Sequence, residues 1–162
     1  FDPDVIYNRI EYLASGLECR IIFLDHLSIL LSGLDGDERR MIDSTMTRLR
    51  SLVERTGITL FLVSHLRRSN SDSNSHEEGG RVSLGQLRGS HSISQISDSV
   101  IALERDQQSE DSNNTSTLRV LKNRYSGEVG VATRLTYDLA SCKFYEADET
   151  TTTPVFDAST DF

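Results

Sequence analysis

The sequence has few cysteines and no long apolar run, and these absences exclude several classes of protein. Cys19 and Cys142 are the two cysteines among 162 residues, and their wide separation does not match the spacing of a metal site. We therefore expect two reduced thiols of the cytoplasm rather than a disulfide framework. No run approaches the ~20 apolar residues of a membrane span, and no signal peptide opens the chain. The sequence thus predicts a cytoplasmic protein without a membrane partner.

The chain also lacks the glycine-rich pattern Gly-x-x-x-x-Gly-Lys-Ser/Thr. Nucleotide-hydrolysing proteins commonly use this loop, whose backbone N–H groups and lysine hold phosphates. The first residue is Phe1 rather than methionine, which favours a fragment of a longer protein. If the chain handles a nucleotide, half of the site is expected upstream, and the chain alone is expected to be inactive.

Positive charges are outnumbered by negative ones, with 17 Lys and Arg against 25 Asp and Glu, and the formal net charge is −8. Taken alone, this value argues against a nucleic-acid-binding protein, which usually carries a basic surface. The basic residues recur, however, between Arg67 and Arg88 and between Lys122 and Arg134, and none follows Lys143. The acidic residues after Lys143 are Glu146, Asp148, Glu149, Asp157 and Asp161. An acidic tail of this kind masks a locally basic site in the average.

Two short apolar runs, Ile21–Leu24 and Ile58–Val63, predict strands buried on both faces, as in a parallel sheet. A helix is predicted between them, opening at Asp35-Gly36-Asp37 and ending at Gly57. Its apolar stripe consists of Ile42, Met46, Leu49, Leu52 and Val53. A further helix is predicted to start at Asp2-Pro3 and to stop at Gly16. The order strand, helix, strand is typical of an α/β protein.

The second half of the chain predicts further strands separated by polar segments. A third strand is expected at Val100–Leu103, and two antiparallel strands are expected at Leu118–Leu121 and Ala132–Tyr137. The polar segment Ser69–Gly80 predicts a mobile loop, and the residues from Thr150 onwards predict a disordered acidic tail. The overall prediction is an α/β fold with a mainly parallel sheet flanked by helices, a C-terminal antiparallel portion and a disordered tail.

Polar pairs follow both predicted parallel strands, namely Asp25-His26 and Ser64-His65. Because ligands of open α/β sheets bind beyond the carboxyl ends of the strands, both pairs are expected at one edge. Four apolar residues followed by Asp25 form the Walker B pattern, in which the carboxylate holds Mg²⁺ beside nucleotide phosphates. The alternative for Asp25 is a loop cap, which is common after apolar strands, and the alternative for His65 is a polar loop residue.

Several cations are placed where they could contact phosphates or bases. Lys122 and Arg124 alternate along a predicted strand and therefore project from one face. Arg67-Arg68 adjoins the polar loop and could bind phosphate. Further candidates are Arg88, in an Arg-Gly-Ser turn, and Arg105 and Tyr137, at strand ends where each could stack on a base. The alternative for all of these residues is a solvated surface position.

Five ordered stretches together resemble a known family. They are IIFLDHLSILLSGLDGDERRMID (Ile21 to Asp43), SHLRR (Ser64 to Arg68), HEEGGRVSLGQLRGS (His76 to Ser90), QISDSVIALERDQ (Gln95 to Gln107) and LKNRYSGEVG (Leu121 to Gly130). In these stretches the chain resembles the helicase domain of the T-odd phage primase-helicases, relatives of the mitochondrial Twinkle helicase and, more distantly, of the DnaB-like helicases. The resemblance covers most of the chain and is far more specific than any single motif.

The resemblance implies a RecA-like domain that assembles into a hexameric ring around single-stranded DNA and hydrolyses ATP or dTTP with Mg²⁺. The roles it implies are the Walker B and Mg²⁺ carboxylate for Asp25, a site near the γ-phosphate for His65 and γ-phosphate sensing for Gln95. It further implies an arginine finger at Arg124 beside Lys122, and contacts to the nucleotide base by Arg105 and Tyr137. The implied DNA contacts are Arg67, Arg68, His76 and Arg88.

The resemblance also suggests boundaries and departures. Residues 1–149 would be the C-terminal part of the helicase domain, with the phosphate-binding portion upstream, and residues 150–162 a tail. The family's similar tail contacts the replicative DNA polymerase, with Phe162 here as the anchor. The family's DNA loop carries several lysines, but Ser69–Ser75 carries none, and His91 and Ser94 stand where a small residue and an arginine are expected. The competing interpretations are a different RecA-like DNA-dependent ATPase and a non-catalytic polymerase-docking remnant.

Overall fold

The computed structural model describes residues 2–31, 36–67, 76–87, 91–109 and 113–147. The helices are α1 (Pro3–Ser15), α2 (Leu27–Leu31), α3 (Glu38–Thr56) and α4 (His91–Ile96), and a 3₁₀ turn spans Leu84–Gln86. The strands are β1 (Ile21–Leu24), β2 (Thr59–Leu62), β3 (Ser99–Arg105), β4 (Thr115–Asn123), β5 (Gly130–Asp138) and β6 (Lys143–Glu146). Within these ranges, none of the helices has the length and apolar character needed to cross a membrane.

The two long helices begin and end at the residues that the sequence signals indicate. The Asp2 carboxylate accepts a hydrogen bond from the backbone N–H of Asp4 at 2.9 Å, and α1 stops before Gly16. The Asp37 carboxylate accepts from the N–H of Arg39 at 2.9 Å and so caps the start of α3. Gly57 ends α3 in the left-handed conformation, at φ 68°, which glycine adopts without steric cost.

The core lies between the helices and one face of a parallel two-stranded sheet. β1 and β2 pair in parallel, with Ile22 opposite Leu60 and Leu24 opposite Leu62. The predicted stripe of α3 is confirmed, because its residues point into this core together with residues of α1, α2 and α4. The buried side chains of the cluster are Tyr7, Ile10, Ile22, Leu27, Leu30, Leu31, Ile42, Met46, Leu49, Leu52, Ile58 and Ile93.

The other face of the parallel sheet is uncovered in the described part of the chain. Phe23 is 71% exposed and Phe61 is 44% exposed, and their rings stack with centroids 4.7 Å apart. Ile21 and Val63 are exposed beside them. Burial of both faces of β1 and β2 was therefore a wrong expectation for these residues. The reason is that β1 and β2 turn only their alternate side chains toward the helices, and no described helix packs on the opposite face.

β3 to β6 form a four-stranded antiparallel sheet in sequential order. The predicted strands Val100–Leu103, Leu118–Leu121 and Ala132–Tyr137 lie inside β3, β4 and β5, respectively. β3 pairs antiparallel with β4 and does not extend the parallel pair, so the antiparallel portion is the larger part of the described sheets. The predicted α/β fold, with a parallel sheet, flanking helices and a C-terminal antiparallel portion, is confirmed, but the described strands are mainly antiparallel rather than mainly parallel as expected.

We predict that Leu30→Ala lowers the free energy of unfolding by about 2–5 kcal/mol, because the Leu30 side chain is fully buried and its removal leaves a cavity. The matched control is Ile29→Ala in the same helix, where the side chain is 37% exposed and the loss should be much smaller. Denaturant titration of both variants gives the two values. Equal losses would place Leu30 outside the core.

Candidate functional site

The first part of the candidate site lies where the two parallel strands end. The N–H of Leu27 donates to the carbonyl of Val63 at 2.9 Å, which holds the two chain segments together just beyond β1 and β2. The rings of His26 and His65 meet edge to face, with centroids 4.4 Å apart. Asp25 is exposed at the end of β1. The predicted common edge of the two polar pairs is therefore present in the geometry.

His26 is a residue of this edge to which the sequence reasoning assigned no role. Its Nδ1 atom is buried and has no hydrogen-bond partner among the described residues. A buried imidazole nitrogen without a partner is uncommon and calls for an explanation. The available sequence signal was position alone, since His26 directly follows the candidate Walker B carboxylate.

Asp25 fits a magnesium ion only in combination with other ligands. Among the described residues, its carboxylate makes no hydrogen bond or salt bridge, and no group of three or more His, Cys, Asp or Glu could hold a metal. Mg²⁺ usually keeps several waters and binds one or two carboxylates together with substrate phosphates. The exposed carboxylate of Asp25 matches that mode, in which the nucleotide supplies the remaining oxygen ligands.

The second part of the site is the carboxyl end of α4, where two predicted cations converge. The Nζ of Lys122 donates to three carbonyl oxygens, those of Ser94 at 2.6 Å, Gln95 at 3.1 Å and Ser97 at 2.8 Å. The last carbonyls of a helix have no partners within the helix, and this end carries partial negative charge. The Lys122 ammonium therefore satisfies the end of the helix that bears Gln95.

Arg124 reaches the same helix end through a different set of contacts. Its Nη2 donates to the Gln95 carbonyl at 2.8 Å, and its Nη1 donates to Asp98 Oδ1 at 2.9 Å. The backbone N–H of Arg124 also donates to the carbonyl of Asp98 at 2.8 Å. The other carboxylate oxygen, Asp98 Oδ2, accepts from Arg50 of α3 at 2.7 Å. The Arg124 side chain remains 42% exposed at this position.

Asp98 and Arg50 were missed by the sequence reasoning. Asp98 uses both carboxylate oxygens and thereby ties Arg124 to Arg50, and hence the end of β4 to α3. Arg50 lies 48 positions before Asp98, so no local pattern connects the two residues. A single acidic residue just after a short helix carries no distinctive sequence signal.

Arg105 and Tyr137 lie together at the opposite end of the antiparallel sheet. The Nε of Arg105 donates to the carbonyl of Asn113 at 2.6 Å, and the N–H of Tyr137 donates to the carbonyl of Asn114 at 2.8 Å. The Tyr137 ring packs against Phe144 at 4.9 Å between centroids. The length of β4 separates this pair from Arg124, a distance of roughly 25 Å at ~3.3 Å per residue.

The predicted DNA-contacting residues are only partly described. Arg67 is exposed, and its N–H donates to the carbonyl of Gln86 at 2.8 Å. Both ring nitrogens of His76 are buried without a hydrogen-bond partner among the described residues. Arg68, Arg88, the segment Ser69–Ser75 and the acidic tail with Phe162 lie outside the described residues.

Two comparisons with known proteins agree with this architecture. The family described as the DnaB-like helicase C-terminal domain matches residues 3–146. The chain is also similar to a DNA helicase/primase of Enterobacteria phage T3, with 41% identity over 138 residues that make up 85% of this chain.

The chain belongs to the DnaB-like helicase C-terminal domain family.

The resemblance inferred from the five sequence stretches is thereby confirmed. The DnaB-like domain spans 24% of the length of the phage relative, about a quarter. Within the domain, the candidate residues form three separate groups. The first is Asp25 with His65, the second is Gln95 with Lys122 and Arg124, and the third is Arg105 with Tyr137.

We predict that Lys122→Met loosens α4 in the DnaB-like domain, because three carbonyl oxygens lose their charged donor. Hydrogen bonds to charged groups typically contribute about 1.5–3 kcal/mol, and amide exchange in residues 91–97 should accelerate accordingly. Lys143→Met, at an exposed position of β6, is the control and should leave this exchange unchanged. Unchanged exchange in Lys122→Met would show that the ammonium does not hold the helix.

Proposed function

We propose that this DnaB-like domain is part of a ring-forming replicative helicase that translocates on single-stranded DNA and unwinds duplex DNA by hydrolysing ATP or dTTP. The observation that carries the proposal is the convergence of Lys122 and Arg124 on the carboxyl end of the helix bearing Gln95. Gln95, the proposed γ-phosphate sensor, and Lys122 and Arg124, the proposed phosphate-binding cations, are thereby connected at one helix end. The family membership and the similarity to a phage DNA helicase/primase support the same function.

In this proposal, the edge formed by Asp25, His26 and His65 faces the triphosphate bound to the same subunit. When bound, Mg²⁺ would neutralise charge on the phosphate oxygens. Asp25 would orient the ion, directly or through water, from the end of β1. His65, whose ring is held against His26, would keep a fixed position beside the γ-phosphate. Rigid placement of this kind is the main contribution of a protein to phosphoryl transfer.

Arg124 is proposed to act on the nucleotide of the neighbouring subunit. Arg105 and Tyr137, the proposed base contacts, lie at the other end of β4, so all three residues are poorly placed to contact one nucleotide within one chain. An arginine supplied by a neighbour links hydrolysis to the subunit interface and stabilises transition-state charge. The 42% exposure of the Arg124 side chain is compatible with a reach outward from its own subunit.

DNA binding is proposed to rest on Arg67, Arg68, His76 and Arg88. Each subunit would supply few cations, but a hexameric ring presents six copies around one strand, and repeated weak contacts raise the total affinity. This multiplication explains how a chain with a net charge of −8 could hold single-stranded DNA. The exposed position of Arg67 at the entrance to the polar loop supports its part in the proposal.

A further segment of the longer protein is proposed to supply the phosphate-binding loop. The support is the exposed face with Phe23 and Phe61, because parallel sheets are normally covered on both faces. The domain by itself is therefore proposed to lack nucleotide hydrolysis, since no glycine-rich phosphate loop is present in its sequence.

The acidic residues after Lys143 and the terminal Phe162 are proposed to dock on the replicative DNA polymerase. The carboxylates would steer the tail to a basic surface, and Phe162 would fill an apolar pocket. The proposed place of action is the cytoplasm of the host cell.

The test of the proposed function is a purified full-length protein assayed with Mg²⁺ and either ATP or dTTP. The expected result is hydrolysis that single-stranded DNA stimulates, together with unwinding of a forked duplex. Hydrolysis without any response to DNA would favour a different ATPase of this fold, and binding to polymerase without hydrolysis would favour a docking remnant.

We predict that Arg124→Ala in the full-length protein slows hydrolysis by about 10³- to 10⁵-fold, because the residue acts on charge that develops in the transition state. Nucleotide affinity should stay close to that of the wild type, and mixed rings should show depressed activity of the wild-type subunits. Arg9→Ala, at an exposed position of α1, is the control. A hydrolysis rate close to that of the wild type in Arg124→Ala would contradict the assignment of Arg124 as the arginine finger.

We also predict that Arg67→Ala combined with Arg68→Ala weakens single-stranded DNA binding and its dependence on salt. The slope of log affinity against log salt should fall by about 0.7 for each phosphate that the protein no longer neutralises. The matched control is Arg39→Ala with Arg40→Ala, an exposed arginine pair at the start of α3. The same slope in both double variants would place the DNA-binding cations elsewhere.

A further inference from the structure

The chain segments before and after the polar loop are paired with each other. Leu66 and Leu87 form an antiparallel bridge, and the N–H of Arg67 donates to the carbonyl of Gln86 at 2.8 Å. The outgoing and returning chains are therefore paired at this point. Arg67, a proposed DNA contact, lies at the start of the loop, and the described return segment begins at His76.

The return segment, His76–Val82, lies along the end of β3 and is held there by several contacts. The N–H of Gln107 donates to the carbonyl of Glu77 at 2.9 Å, and Glu78 forms an antiparallel bridge with Asp106. Gly79 adopts a φ of +74°, and a Cβ atom at this position would lie 3.0 Å from the Cβ of Asp106. A side chain at Gly79 would therefore force the segment away from β3.

Glu104 makes a buried side-chain hydrogen bond to this segment. Its Oε1 accepts from the backbone N–H of Val82 at 2.9 Å and from Arg119 Nε at 2.8 Å. Its Oε2 accepts from Arg119 Nη2 at 2.9 Å, which completes a bidentate pair. The side chains of Glu104 and Arg119 are 6% and 15% exposed. The three bonds thus join β3, β4 and the return segment.

Burial raises the pKa of the Glu104 carboxyl, but hydrogen bonds from Arg119 and Val82 outweigh burial, and its pKa lies below the usual range. Glu104 is therefore ionised at neutral pH. An apolar pair of similar volume would hold β3 against β4 about as well, since removing two charges from water is costly. An apolar pair could not, however, accept a hydrogen bond from the N–H of Val82. This bond is the distinctive contribution of Glu104.

We propose that Glu104 is a positioning residue that fixes the segment His76–Val82 through the Val82 N–H, with Arg119 fixing Glu104, and thereby sets the position of His76 for DNA binding. The inference rests on the proposed helicase function, which it deepens. Glu104 directly precedes Arg105, the proposed base contact, on β3. The segment proposed to position the DNA contact His76 and the proposed base contact Arg105 therefore lie at the same end of β3.

The experiment compares two double variants of the full-length protein. Glu104→Leu with Arg119→Met removes both charges and the acceptor for Val82. Glu104→Gln with Arg119→Gln also removes both charges but keeps an amide oxygen for the Val82 N–H. The measurements are thermal unfolding, amide exchange at Val82, hydrolysis without DNA, and affinity for single-stranded DNA.

We expect the Leu/Met variant to lose about tenfold in DNA affinity, which is the effect of one lost hydrogen bond, and to exchange the Val82 amide faster. The Gln/Gln variant should stay close to the wild type in both, and both variants should hydrolyse nucleotide without DNA at the wild-type rate. If the Leu/Met variant does not fold, Val82→Pro removes the same bond from the donor side and should give the same loss of affinity.

Three results would overturn the proposal. The first is wild-type DNA affinity in the Leu/Met variant despite faster exchange at Val82, because the anchor would then not matter for DNA. The second is unchanged amide exchange at Val82 in the Leu/Met variant. The third is an equal loss of DNA affinity in both double variants, which would assign the effect to the loss of the ion pair. A wild-type protein without DNA-stimulated hydrolysis refutes the proposed function instead, and the role of Glu104 in DNA binding falls with it.

Discussion

The packing of α3 on the inner face of the parallel pair β1–β2 is the interaction on which the other features depend. The helix stripe and the alternate side chains of the two strands form one buried cluster. This packing fixes the two strands in register, with Leu24 opposite Leu62, so that both end at the same level. Asp25, His26 and His65 meet at one edge because the apolar residues before them are held in that register. The geometry of the edge is therefore set by apolar side chains that do not belong to the edge itself.

The position of the carboxyl end of α4 likewise depends on residues from other elements, in this case charged ones. α4 is only six residues long, and isolated helices of this length are not stable in water. It is held by Ile93 in the core and by the donors Lys122 and Arg124 at its end. Since Arg50 of α3 shares Asp98 with Arg124, the core helix and the proposed finger are connected through one carboxylate. The placement of Gln95 thus depends on residues from β4 and α3.

The sequence was informative where the signal is local and periodic. The stripe of α3, the caps at Asp2 and Asp37, and the common edge of Asp25 and His65 follow from spacing and from the geometry of parallel strands. The pairing of β3 with β4 could not be read in the same way, because an apolar run such as Val100–Leu103 does not indicate its partner strand. The contacts of Asp98 and Glu104 were missed for a related reason. Each joins residues that are far apart in the chain, and a single carboxylate has no distinctive pattern.

The expectation that β1 and β2 are buried on both faces was wrong for the described residues, and the exposed aromatic pair has a consequence for the domain in solution. Stacked Phe23 and Phe61, with Ile21 and Val63 beside them, form an apolar surface on which a second copy could settle. The net charge of −8 opposes such an encounter by repulsion between like-charged molecules. Added salt screens the repulsion and leaves the apolar attraction in place. The colloidal stability of the domain therefore depends on two opposing effects, attraction between exposed aromatic faces and repulsion between negatively charged molecules.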